Sequence, residues 1–299
     1  MVEAAAHLSE NAQAALELSV EERLDRIRRP RWIGYTRAKK LLDKLDDLLT
    51  HPKTHRMPNL LIVGDTNAGK TMLANRFVQL HPADKTLGGE AVIVPVLAIQ
   101  APPGPDEGRF YNAILEALAT PYNPRERVAQ QQIQVLRMLK RIGIQMLIID
   151  EVHNVLTGSV TKQRQFLNVL KYLGNDLQIT LVGLGTKEAL RALQADPQLA
   201  NRFEPAALPP WQLDQEFQML LASFERALPL RQPSGLADEK LARKLLALSE
   251  GSLGELSVLL TSAAVYAVQS GAERIDEQVL AAIDWVMPSE RRRHAERLV

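Results

Sequence analysis

The feature that most limits what this chain can fold into is the run Gly64-Asp65-Thr66-Asn67-Ala68-Gly69-Lys70-Thr71. It fits the pattern G-x-x-x-x-G-K-[ST]. Before it stands Leu60-Leu61-Ile62-Val63, an uninterrupted apolar run that reads as a strand buried on both faces, as in a parallel sheet. After it, Met72 to Val78 continues as a good helix. Strand, glycine loop and helix in that order are the context a P-loop requires. The glycines let successive backbone N–H groups converge on a phosphate at a helix N-terminus, with Met72 closing the cradle. Lys70 is expected to reach the β- and γ-phosphates, and the Thr71 hydroxyl to ligate Mg²⁺.

A second apolar run, Gln145 to Ile149, ends in the adjacent carboxylates Asp150 and Glu151. Alone this is a weak motif. Paired with a P-loop it assigns Asp150 to the metal, partly through water, and Glu151 to polarising the attacking water. His153 follows, read as structural or as a sensor of the glutamate, since no His/Asp cluster accompanies it. A further strand, Gln178 to Leu184, leads to Gly185-Thr186. The Thr186 hydroxyl is suited to contact the γ-phosphate or its attacking water, or to cap the helix that follows; the two roles are compatible. Arg202 precedes a short run, Ala206-Ala207-Leu208, read as the fifth strand.

Bulk composition narrows the rest. The chain has 299 residues, 46% hydrophobic and 24% charged, which suits a globular protein with two domains. The formal net charge is +1, so a nucleic-acid contact must come from a local patch. With no cysteines, disulfides, thiolate catalysis and Cys-type zinc are excluded. No signal peptide and no apolar run of membrane-spanning length is visible, and a cytoplasmic location is expected.

Arginines crowd the segment from Arg23 to Arg37 around Trp32-Ile33-Gly34-Tyr35. One reading is a solvated face; the other puts Ile33 and Tyr35 beside a nucleotide base, with some arginines facing a polyanion or a neighbouring subunit. Ala91 to Ile99 is expected to form a strand at an edge or with a bulge, because Pro95 cannot donate to a ladder. Loops are expected to carry Arg109, Arg125, Arg127, Lys162 and Arg164. From Asp214 onward the apolar spacing is helical throughout. The tail from Arg291 to Arg297 reads as basic and loose.

Together these segments resemble the AAA+ ATPases, and more narrowly the transposition ATPases of the TniB type, related to TnsC. The narrower resemblance rests on Trp32 to Tyr35, Arg56 to Asp65, Ile148 to Asn154 and Val182 to Ala189. It implies a P-loop α/β domain with a parallel five-stranded sheet flanked by helices, followed by an all-helical lid. The expected divisions are an N-terminal arm (1–30), the nucleotide domain (31–211), the lid (212–287) and a basic tail (288–299). It also implies ATP and Mg²⁺ as ligands, ATP hydrolysis (expected to be slow because of the lid departure described below), and assembly as a ring or filament on double-stranded DNA. The implied partners are a DDE transposase and a target-selection protein, with no membrane. Arg202 would act as an arginine finger on a neighbour's γ-phosphate; otherwise it is a salt bridge at the domain junction. The five bases named above would line the DNA. One departure stands out: where many AAA+ lids carry a sensor arginine, this chain has Leu253, Gly254 and Glu255. The alternatives left open are a loader or initiator for replication or repair, and a nucleotide-gated scaffold with negligible turnover.

Overall fold

The computed structural model describes residues 6–84, 92–156, 159–194 and 201–297. Ala91, the first residue of the expected second strand, lies outside these. The chain divides into two compact units. One runs to Lys39 and resumes at Pro210; the other spans Lys40 to Pro209.

The central unit is a five-stranded parallel sheet in the order β2-β3-β4-β1-β5. Its strands are β1 (Asn59–Gly64), β2 (Val96–Gln100), β3 (Met146–Asp150), β4 (Thr180–Gly185) and β5 (Phe203–Leu208). Both β1 and β4 are buried at every position, as expected of strands covered on two faces. Crossovers run through α4 (Lys70–Leu80), α5 (Glu107–Ala117), α6 (Val128–Arg141), α7 (Val160–Leu177) and α8 (Lys187–Gln194). Leu61, Phe110, Leu139, Leu147, Leu170 and Leu181 belong to one core formed between the sheet and these helices. The second strand is shorter than the apolar run suggested. Ile93 forms only an isolated bridge to Asp84, and pairing with β3 begins at Val96. Pro95 uses its carbonyl instead, accepting from the amides of Gln145 and Met146 at 2.9 and 3.0 Å. The edge position that Pro95 implied is where β2 lies.

The other unit is helical. It holds α1 (Glu10–Ala14), α2 (Val20–Arg28), α9 (Gln215–Ala227), α10 (Glu239–Ser249), α11 (Leu253–Gln269), α12 (Glu277–Ala282) and α13 (Pro288–Glu296). The helix α3 (Thr36–Leu49) carries the chain from this unit into the central one. Two expectations change here. The N-terminal segment is no free arm: Leu24 and Ile27 are buried with Phe217, Leu221, Leu256 and Leu260 in one core. The C-terminal tail is no loose end: it forms α13, with Arg291 ion-paired to Glu255 and set 5.5 Å from the Trp285 ring.

Three arginines of the cluster, Arg23, Arg31 and Arg37, are engaged inside the helical unit, while Arg26, Arg28 and Arg29 are exposed. Arg23 is buried and pairs with Glu273 at 2.5 Å. Arg31 donates to the carbonyl of Ala227 at 2.9 Å. Arg37 pairs with Glu216 at 2.6 Å and stacks 4.7 Å from Trp211. Among the described residues no single helix is long and apolar enough to cross a membrane.

Candidate nucleotide site

The P-loop leaves the carboxyl end of β1, the edge of a parallel sheet where ligands bind. Gly69 takes φ 90°, a left-handed value that turns the loop into α4. Lys70 opens that helix, and its ammonium donates to the carbonyls of Gly64 and Asp65, both at 2.9 Å. The side chain is thereby folded over the loop. Burial pulls its pKa below the ordinary lysine value, while the carboxylates of Glu151, Asp150 and Asp65 oppose that shift.

Next to Lys70, the Thr71 hydroxyl donates to Asp150 Oδ2 at 2.6 Å. The sequence separates these residues by most of two crossovers; the sheet order returns β3 close to β1. Two neighbouring ligands of an octahedral Mg²⁺ stand ~2.9 Å apart, given metal–oxygen bonds of about 2.0–2.1 Å. The Thr71–Asp150 pair is spaced and charged to take such an ion with little rearrangement. The other oxygen of Asp150 accepts the amide of Glu151 at 2.8 Å. Glu151 itself has φ 54° and leaves the strand sharply. Its carboxylate lies 3.2 Å from His153 Nε2.

Thr186 stands between β4 and α8. Its carbonyl accepts the amide of Ala189 at 3.0 Å, as a residue at a helix N-terminus should. No sound hydrogen bond from a described residue reaches its buried hydroxyl, yet that hydroxyl is near enough to hold the Glu188 carboxylate below its usual range. Lys187 lies 3.6 Å from Asp65 and links α8 to the phosphate loop, a contact that sequence spacing gave no sign of.

Arg202 is elsewhere. It directly precedes β5, which pairs in register with β1 through Phe203 and Asn59, so it lies at the amino edge of the sheet. The P-loop begins at the far end of β1, roughly 16 Å away along the strand. Arg202 donates to Asn175 Oδ1 at 3.0 Å and faces an open cleft of about 730 Å³. Arg56, Asn201 and Glu204 also line this cleft. Lys44 pairs with Glu204, which offsets the acidic charge there.

The five bases expected on loops are all exposed. Three are on helices. Asp106 and Ser159 cap α5 and α7 through the amides of Arg109 and Lys162, so these helices start before their apolar faces do. Arg109 thus falls in the first turn of α5, and Lys162 and Arg164 near the start of α7. Arg127 is the N-cap residue of α6, and Arg125 is in the loop before it. By topology, the starts of all three helices follow from or adjoin the carboxyl edge of the sheet.

Ile33 and Tyr35 belong to the helical unit, packed partly buried against its core. Tyr35 meets the Trp211 ring edge-on at 5.2 Å. At the missing sensor position, Ser252 caps α11 and Glu255 is held by Arg291.

The profile of the bacterial TniB protein family matches residues 23–213. The chain belongs to the TniB family. A comparison with curated protein sequences gave no match. Among solved structures, the ADP form of the Aeropyrum pernix ORC2 protein aligns with a TM-score of 0.60 and 18% identity, over 86% of this chain and 70% of that one. The Aeropyrum pernix ORC1 protein in complex with DNA gives 0.57 and 17%, over 87% and 68%. The Walker-type ATPase PABY2304 of Pyrococcus abyssi gives 0.54 and 16%, over 90% and 79%. At such identities the likeness is one of fold: this TniB-family chain has the AAA+ architecture, a P-loop parallel sheet with a helical C-terminal region.

Proposed function

We propose that this TniB-family protein is an ATP-hydrolysing switch that assembles on double-stranded DNA in its ATP state and recruits a DDE transposase there. The observation that carries the nucleotide half of this reading is the 2.6 Å contact between Thr71 and Asp150 beside Glu151 and Lys70. Thr71 and Asp150 would hold Mg²⁺, which supplies charge neutralisation on the phosphates. Lys70 would exchange its two carbonyl partners for phosphate oxygens. Glu151 would take the proton of the attacking water, and Thr186 would orient that water or the terminal phosphate.

The assembly half rests on Arg202. A residue at the opposite edge of the sheet cannot serve its own P-loop, yet it faces an open cleft with Arg56 beside it. That arrangement suits a base offered to the nucleotide of a second copy, and would couple assembly to nucleotide state. Ile33 and Tyr35 are proposed to flank the base of the nucleotide. For DNA, exposed Arg109, Arg125, Arg127, Lys162 and Arg164 offer phosphate contacts without base readout. The transposase, and a target-selection protein beside it, come from the family resemblance.

A second reading, a loader or initiator for replication, draws on the fold shared with ORC1, which was solved in complex with DNA. Strand transfer by a DDE transposase onto duplex preloaded with this protein and ATP separates the two. The proposal expects stimulation that requires ATP and fades with salt. Stimulated helicase loading without any effect on strand transfer would favour the second reading.

A further inference from the structure

A general base works only if its carboxylate is held where the proton comes off. The backbone of Glu151 is pinned on both sides: its amide donates to Asp150 Oδ1 at 2.8 Å, and its carbonyl accepts the amide of Asn154 at 2.9 Å. At φ 54° it is also in a costly conformation for a residue with a side chain. What is left to fix is the carboxylate. Its side-chain contact is His153 Nε2, at 3.2 Å.

The imidazole is held in turn. His153 lies on a 3-10 turn, Val152–Leu156, anchored by buried Val152, Val155 and Leu156. Its Nδ1 is buried and has no hydrogen-bond partner among the described residues. A proton on Nδ1 would be a buried donor without an acceptor, whereas a proton on Nε2 meets a carboxylate. These surroundings place the ring hydrogen on Nε2. The charged groups that act around the ring are Glu151, on its own segment, and Glu188, from α8.

We infer that His153 is the positioning residue of Glu151: its Nε2–H holds the carboxylate as an acceptor. This rests on the ATPase reading above. His153 touches no reacting atom, and its role is that of the third group that orients a base.

Reach gives the test. A glutamine amide nitrogen can occupy the place of Nε2, while that of asparagine falls nearer Nδ1. Steady-state hydrolysis and the affinity for a fluorescent ATP analogue are measured for His153→Ala, His153→Gln, His153→Asn and Glu151→Gln. The expected result is a loss of kcat in His153→Ala of up to roughly 100-fold, the size produced when a reacting group shifts by about an ångström. KM and analogue affinity stay near wild type, Gln restores most of the rate, and Asn does not. Nitrogen NMR of the nucleotide-free protein, assigned with His153→Gln, is expected to show the hydrogen on Nε2, with that signal displaced in Glu151→Gln. Wild-type or raised turnover in His153→Ala, equal behaviour of Gln and Asn, or a ring protonated at Nδ1 would overturn the assignment. An unaltered rate in Glu151→Gln is a separate failure, that of the ATPase reading itself.

Discussion

Lys70 and Tyr35 show how single residues report on the two units. The Lys70 ammonium is bonded to two loop carbonyls. Binding a triphosphate is therefore an exchange of partners, and the gain is the difference between a carbonyl and a charged phosphate oxygen. Replacing Lys70 with Ala is expected to weaken ATP binding by roughly 1.5–3 kcal/mol, the worth of a hydrogen bond to a charged group, as read by calorimetry. In the helical unit, burial pushes the Tyr35 phenol up to about 12, with Arg37 pulling it down and Glu216 adding to the rise. The folded pKa lies above the unfolded value of about 10. Its contribution to stability is therefore complete below pH ~10 and lost as pH rises toward ~12. Tyr35→Phe is expected to remove that share of the alkaline loss in thermal melts, and an unchanged alkaline profile would contradict it.

At the scale of elements, packing around the site leaves little freedom. A Cβ placed on Gly185 would stand 2.8 Å from Ala189 Cβ and 3.2 Å from Val152 Cγ1. Gly185 thus lets α8 and the turn after Glu151 close on the end of β4. Gly185→Ala is expected to cost about 1–3 kcal/mol of stability, read as a lower melting temperature. In the helical unit the Arg23–Glu273 pair is nearly closed to solvent, at 4% and 14% side-chain exposure. Arg23→Ala strands the half-buried Glu273 with Arg231 as its remaining partner and is expected to cost about 3 kcal/mol, the low end for breaking a buried pair. A change under 1 kcal/mol in denaturant melts would show that α2 is only loosely docked.

The same elements show what sequence can and cannot carry. Strands β1, β3 and β4 were legible because burial on both faces writes an unbroken apolar run. The P-loop and Asp150-Glu151 were legible because the chemistry fixes residue type and local order. The starts of α5 and α7 were missed because Asp106 and Ser159 act through caps that precede the apolar period. The partners of Arg23, Arg37 and Arg31 were not legible, for a different reason. These partners, Glu273, Glu216 and the Ala227 carbonyl, lie about 180 to 250 residues away in sequence, and nothing local marks them. The contact of His153 with Glu151 is short in sequence, but it depends on the left-handed turn at Glu151, which residue identity alone does not announce.

For the whole molecule, the proposed nucleotide site is completed only if a second copy contributes to it. The central unit brings Lys70, Thr71, Asp150 and Glu151 together at one edge of its sheet and carries Arg202 at the other. If Arg202 acts on a neighbour, two defects in different chains can be repaired by mixing. Lys70→Ala chains keep the arginine face and lose the phosphate loop; Arg202→Ala chains do the reverse. Arg202→Ala alone is expected to hydrolyse ATP at least about 1000-fold more slowly than wild type, the lower range for loss of an arginine finger, and Lys70→Ala alone to lose turnover with its phosphate contacts. An equimolar mixture on duplex DNA is expected to recover a sizeable part of the wild-type rate, rising with total protein concentration. A mixture no faster than the average of its two components, at concentrations where wild type assembles, would contradict a site shared between neighbouring copies.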